Sequence, residues 1–226
     1  MKKIILCFFA VCISLAAHSQ DSLRQKVRME TNMGNIVIEL YNETPKHRDN
    51  FLKLVRAGFY DGVLFHRVIK DFMIQAGDPA SKQAEANQLL GDSNEPYSVP
   101  AEICFPKLFH KRGALAAARE GDDVNPERKS SAFQFYIVYG QEFNEPMLDR
   151  VQQRIDKYTD GTVQLTPELR EVYKTIGGTP HLDGQYTVYG EVVEGLDIVE
   201  KIQAVETDAN DRPVEDVKII KAEVIE

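Results

Sequence analysis

Apolar and polar positions alternate with period two between residues 27 and 41. Val27, Met29 and Thr31 alternate first, and Ile36, Ile38 and Leu40 then alternate with Val37 and Glu39. Asn32-Met33-Gly34-Asn35 lies between the two runs. Successive strand side chains face opposite ways and Gly and Asn suit tight turns, so the segment predicts a β-hairpin. The period then becomes helical. Thr44 is a natural N-cap, Pro45 suits the first helical position, Phe51, Leu54 and Val55 form a stripe, and Gly58 can end it. Residues 63–76 mix β-branched and aromatic side chains and predict strands, whereas the polar stretch 79–100 predicts a long loop. Residues 113–118 and 132–139 read as buried strands. Strand character returns at 186–193 and from Val214 to Ile225, separated by a short helix with Leu196, Val199 and Ile202 in register. Many strands with two flanking helices predict a mainly-β fold, a closed barrel with helical caps.

A different periodicity interrupts the strands. Leu148, Val151 and Ile155 make one helical stripe, and Leu169, Val172, Tyr173 and Ile176 make another. Thr166, Pro167 and Gly177 bracket the second as cap, first position and stop. The segment 141–178 therefore reads as a helical hairpin inserted between two barrel strands, packed on itself or on the barrel and peripheral to catalysis.

The length of 226 residues suits one such domain, or at most two small ones. The first residues stand apart. Met1-Lys2-Lys3 is positive, Ile4 to Ala17 is mostly apolar, and Ala17-His18-Ser19 places small residues where a signal peptidase reads. Residues 1–19 thus read as a cleaved signal peptide, with residues 20–226 as the mature domain, exported and periplasmic. The apolar run is shorter than the roughly 20 residues of a membrane span, so no stable membrane insertion is expected after cleavage. Val11 before Cys12 does not suit a lipoprotein site. Cleavage removes Lys2 and Lys3 and takes the net charge from −8 to −10, which disfavours binding to nucleic-acid phosphates. It also leaves Cys104 alone, so no internal disulfide can form. His47, His66, His110 and His181 show no compact ligand spacing, and the acids between 120 and 127 lack the calcium-loop pattern; no metal is expected.

The informative stretch is Phe65-His66-Arg67-Val68-Ile69-Lys70-Asp71-Phe72-Met73-Ile74-Gln75-Ala76-Gly77-Asp78-Pro79. Alternation sends Met73 and Gln75 to one face, an apolar side chain and an amide side by side. Arg67 reaches the same cleft if its strand is a neighbour. Such a set suits a small apolar ring attached to a peptide bond. Outside this context Arg67 would read as a structural ion-pair partner, Phe72, Met73 and Tyr136 as core, and Gln75 as a solvated strand residue.

The run 65–79 resembles the signature of the cyclophilin-type peptidyl-prolyl cis–trans isomerases. The resemblance extends to Gly113-Ala114-Leu115-Ala116-Ala117-Ala118-Arg119, to Phe133-Gln134-Phe135-Tyr136-Ile137-Val138 and to residues 182–190, Leu182 to Gly190. With the hairpin and helix before them it spans roughly 27–140 and 178–226. It implies an eight-stranded antiparallel barrel capped by two helices, and catalysis of rotation about X–Pro bonds without a cofactor. It implies that Arg67 is catalytic, that Phe72, Met73 and Leu182 wall the proline pocket and that Gln75 contacts substrate backbone. Ala118 and Arg119 would form the edge that pairs with the bound peptide. Tyr136 stands where the pocket usually has Phe, His181 where many eukaryotic members have Trp, and Tyr186 where they have His. These departures are similar to bacterial members and imply weak cyclosporin binding. The implied partners are unfolded or partly folded Pro-containing polypeptides. The rival reading is a proline-peptide binding module or chaperone that docks a partner on the 141–178 insertion.

Overall fold

The computed structural model describes residues 23–85 and 88–226; the expected signal peptide, 1–19, lies outside them. The hairpin forms as β1 (Lys26–Thr31) and β2 (Gly34–Leu40), paired in continuous antiparallel register. Helix α1 (Pro45–Arg56) follows. Thr44 occupies the cap position, but its buried hydroxyl makes no hydrogen bond among the described residues. The Glu102 carboxylate takes over: it accepts from the backbone N–H groups of Lys46 (3.1 Å) and His47 (3.0 Å), two donors that the first helical turn leaves unpaired.

Strands β3 (Phe65–Ile69) and β4 (Met73–Ala76) come next. A 3-10 turn at Pro79–Gln83 and the short β5 (Ser98–Val99) break the predicted long loop. Then come β6 (Ala114–Ala117), β7 (Ser130–Ser131) and β8 (Phe135–Val138). The insertion is the expected helical hairpin, α2 (Glu145–Thr159) and α3 (Pro167–Thr175). After a 3-10 turn at Pro180–Leu182, β9 (Val188–Glu194), α4 (Leu196–Gln203) and β10 (Ile219–Ile225) complete the chain.

Eight strands form one antiparallel sheet in the order β10-β1-β2-β9-β6-β8-β4-β3, and β5 pairs with β7 separately. The sheet curls through 235° and stays open, which corrects the expectation of a closed barrel. The seam between β3 and β10 shows why. Phe65 N–H donates to Val217 O and Ile219 N–H to Val63 O, with one isolated bridge at Leu64–Lys218. Regular pairing ends there, since β10 begins at Ile219 rather than at the predicted Val214, and further along only Val68 N–H reaches across, to Asp211 O. Upstream lie Pro213, which has no N–H to give, and Asp211 in a left-handed turn (φ 63°).

The sheet buries both faces in different ways. The inner face carries Ile74 and Ala76 of β4, Leu115 and Ala117 of β6, and Phe135 and Ile137 of β8. Phe51, Leu54 and Val55 of α1 and Val199 and Ile202 of α4 close over the same core. The intervening residues, Met73, Ala114, Ala116, Tyr136 and Val138, face outward into a second apolar cluster. Period-two alternation thus separates structural core from candidate site.

The insertion has a third cluster, in which Leu148, Ile155, Val163, Leu165 and Tyr173 pack on Phe105, Phe109 and Phe143. Its neck is a bridge between Gln141 and Gly178. A Cβ on Gly178 would lie 2.2 Å from His110 O, and its φ is +148°, so only glycine fits where the hairpin rejoins the sheet.

Candidate active site

In an antiparallel pair, directly opposed residues share a face. Arg67 opposes Gln75, Gln75 opposes Tyr136, and Tyr136 opposes Ala116. One cross-strand row on the outer face of β3, β4, β8 and β6 therefore reads Arg67, Gln75, Tyr136, Ala116. Met73 lies one step along the same face, opposite Val138.

Apolar walls stand around this row. Met73 and Tyr136 are buried, and Phe72, Ala118, Leu182 and Tyr186 pack against them in the same cluster. Phe72 stacks on His181 with ring centroids 5.5 Å apart. Tyr186 meets Tyr136 edge-on at 6.0 Å, and the Arg119 guanidinium lies 4.3 Å from the centre of the Tyr186 ring. The structure places Phe72, Met73, Tyr136, His181, Leu182 and Tyr186 side by side.

The polar groups are held from outside the row. The Arg67 side chain is 44% exposed, and its Nε lies 3.5 Å from Asp211 Oδ2. Its terminal nitrogens make no hydrogen bond among the described residues, so they are available to a ligand. Gln75 donates from Nε2 to Gln134 Oε1 (3.0 Å), and Gln134 donates in turn to Gly91 O (2.8 Å). That chain fixes the Gln75 amide and leaves its carbonyl and second N–H free of those partners.

Ala118 and Arg119 divide their expected role. Ala118 N–H donates to Gln134 O and Ala118 O accepts from Ser131 N–H, so neither is open to a peptide. Arg119 has no backbone–backbone hydrogen bond among the described residues, and the free edge falls there. Its side chain is committed: Nε donates to Gln185 O, Nη1 to Glu120 O, and the guanidinium pairs with Asp122. A groove of about 840 Å³ opens beside the apolar walls, lined by Gln75, Ala118, Arg119, Gln134 and the 91–98 loop.

Three residues that matter here were not anticipated. Gln134 orients Gln75; it sits two residues before Tyr136, so alternation alone places an amide on that face. Asp211 meets Arg67 from the Asp208–Pro213 turn, whose Asp, Asn and Pro residues mark a turn without pointing to Arg67. His110 supplies the hydrogen bond for the Tyr136 hydroxyl, 3.0 Å from Nε2.

The remaining histidines have settled places. His47 Nδ1 meets Glu102 (2.7 Å) and its Nε2 meets Ser130 Oγ (2.9 Å). His66 is buried beside Asp78 and the Gln134 amide. Burial lowers its pKa and that of His47. His181 is lowered to about 4, through burial first and then the nearby Arg154 guanidinium.

The family described as "Cyclophilin type peptidyl-prolyl cis-trans isomerase/CLD" matches residues 26–224. The chain belongs to this cyclophilin family. A putative peptidyl-prolyl cis-trans isomerase of Staphylococcus haemolyticus is 36% identical over 202 residues, covering 88% of this chain and 90% of that protein. Peptidyl-prolyl cis-trans isomerase-like 1 of Homo sapiens is 35% identical over 211 residues, covering 92% and 98%. The crystal structure of a Cryptosporidium parvum cyclophilin type isomerase superposes with a TM-score of 0.64 at 25% identity, covering 90% of this chain and 98% of that one. A second structure of the same protein, obtained with the dipeptide Ala-Pro, gives 0.64 at 24%. The activity that names this family is isomerisation of peptidyl-prolyl bonds.

Proposed function

We propose that Arg67 drives X–Pro isomerisation in this cleft while Phe72, Met73, Tyr136, Leu182 and Tyr186 hold the proline ring. The barrier is about 18–20 kcal/mol because the amide nitrogen shares its lone pair with the carbonyl. Twisting the bond localises that lone pair on nitrogen. A guanidinium N–H aimed at the prolyl nitrogen then gains a better acceptor as the bond turns, so the interaction is strongest in the twisted state and lowers the barrier. No bond breaks and no proton leaves the protein. Gln75, fixed by Gln134, steadies the neighbouring carbonyl, and the Arg119 backbone pairs with the extended peptide. The observation that carries this reading is the register: three neighbouring strands set Arg67, Gln75 and Tyr136 in one row on one face.

The substrates are X–Pro bonds in unfolded or partly folded chains, and the Ala-Pro dipeptide used with the Cryptosporidium parvum relative is the smallest ligand of that type. We place the activity outside the cytoplasm on the strength of the leader pattern in residues 1–19. N-terminal sequencing of protein from the native host should find a start near Gln20, and Met1 retained on cytoplasmic protein overturns that placement. Magnetisation-exchange NMR of a short X–Pro peptide with residues 20–226 should show accelerated cis–trans exchange. Binding of the peptide without acceleration would instead favour a proline-peptide binding module.

A further inference from the structure

The Tyr136 hydroxyl begins a buried chain that leaves the pocket. It donates to His110 Nε2 at 3.0 Å. His110 Nδ1 lies 2.9 Å from Asp183 Oδ1, and the His110 backbone N–H donates to the same oxygen at 2.9 Å. A carboxylate oxygen accepts, so Nδ1 carries the proton and Nε2 is left to accept from Tyr136. The other oxygen, Asp183 Oδ2, accepts from Tyr173 Oη–H at 2.6 Å. Tyr136, His110, Asp183 and Tyr173 are all buried, the last two completely. Tyr173 belongs to α3 of the insertion.

A second set of contacts joins the insertion to the same wall. Helix α2 packs against the 3-10 turn Pro180–Leu182, which carries His181 and Leu182. Arg154 of α2 acts electrostatically on His181. Val163, between the two helices, fills the space beside Gly184: a Cβ there would lie 2.3 Å from Val163 Cγ2. Arg128 ties Gly184 O to Tyr158 O at the end of α2.

We propose that the inserted hairpin is a positioning element of the prolyl pocket, acting through Tyr173, Asp183 and His110 on the Tyr136 ring. This revises the expectation that the insertion is peripheral, and it rests on the assignment of Tyr136 to the pocket. Tyr173 touches no substrate. It fixes the Asp183 carboxylate, the carboxylate fixes the imidazole and its tautomer, and the imidazole fixes the Tyr136 hydroxyl. A phenylalanine at 136 would have no such handle, so the departure at this position and the insertion are two ends of one device.

Tyr173→Phe removes one hydroxyl and keeps the ring in its cluster. The folded variant should lose roughly three- to tenfold in kcat/KM on an X–Pro peptide, the range that one hydrogen bond spans. The loss should appear in KM, because a displaced wall weakens ground and transition states alike, whereas loss of Arg67 acts on kcat. The decisive comparison is a double-mutant cycle. In a Tyr136→Phe background the chain has no terminus in the pocket, and Tyr173→Phe should cost nothing further in KM. An equal cost in both backgrounds shows Tyr173 to be merely structural and overturns the proposal, as does a folded Tyr173→Phe with wild-type KM. Arg67→Ala at near wild-type rate would overturn the site assignment itself, a distinct failure. If Tyr173→Phe does not fold, NMR of the wild-type protein decides: a saturating Ala-Pro peptide should shift the Tyr173 ring and His110 Nδ1–H resonances, and unmoved resonances overturn the proposal.

Discussion

Replacing Arg67 with alanine removes the one cationic donor in the cross-strand row. A preorganised donor acting only in the transition state is worth about 10²–10³ in rate, or roughly 2.7–4 kcal/mol. The structure selects the lower end. The side chain is 44% exposed and is steadied by a single contact, Nε to Asp211 Oδ2 at 3.5 Å. Solvent screens such a donor, and part of its orientation must be completed by the peptide itself. A loss of about 10² in kcat is expected, with KM changed much less because Phe72, Met73, Tyr136 and Leu182 still hold the ring. Stability should fall by no more than about 1 kcal/mol, since an exposed ion pair contributes little. Arg67→Lys should recover only part of the rate, because a compact ammonium cannot present the planar fork. Magnetisation-exchange NMR on an X–Pro peptide separates kcat from KM, and circular dichroism confirms the fold. A folded Arg67→Ala that isomerises at near wild-type rate refutes the mechanism.

Acid should destabilise the fold: with the His181 pKa at about 4, the folded state stays neutral while the unfolded chain takes a proton below about 6.5. The unfolded state then binds more protons, so stability falls as pH drops from about 6.5 toward 4, by up to about 3 kcal/mol from His181, with His47 and His66 adding in the same direction. Urea unfolding of wild type and His181→Phe across that range should show a shallower slope in the variant, and parallel slopes would contradict the assignment. Ser130→Ala leaves the buried His47 Nε2 unpaired and should cost about 1–3 kcal/mol by denaturant unfolding; an unchanged midpoint would show that His47 has another partner. His181→Trp should strengthen cyclosporin binding in calorimetry by restoring an indole donor and a larger apolar face, and an unchanged affinity would place the Pro180–Leu182 turn away from the ligand.

The fold was legible wherever a single local period governed the chain. The β1–β2 hairpin, α1, α4 and both insertion helices follow from alternation or helical stripes, because each needs one buried face and little else. Closure was not legible in this way. Val214 begins the strand-like C-terminal run, yet it is exposed, and β10 starts five residues later. Whether a strand reaches its neighbour across a seam depends on how the 207–217 turn is built, and Pro213 with left-handed Asp211 settles that without changing the hydrophobic pattern. The helix α1 cap illustrates the same limit. Thr44 has the right chemistry in the right place, but Glu102, more than fifty residues away, reaches the donors first.

The site divides along the same line between local and distant information. Met73 and Gln75 share a face because β4 alternates, and Gln134 and Tyr136 share one because β8 and the residue before it do; both pairs lie in the sequence itself. Arg67 joins them only through the β3–β4 register, which the family resemblance supplied and no spacing could. The Tyr136 hydroxyl marks where local reading ends. A phenol on a buried strand face must find a partner, so the need is visible from sequence, but its answer is His110, 26 residues away, held by Asp183 and then by Tyr173. No periodicity links those positions. What links them is that each buries a polar group which would be costly unpaired, so that one hydroxyl facing the pocket requires three further residues to be placed, the last of them in the insertion.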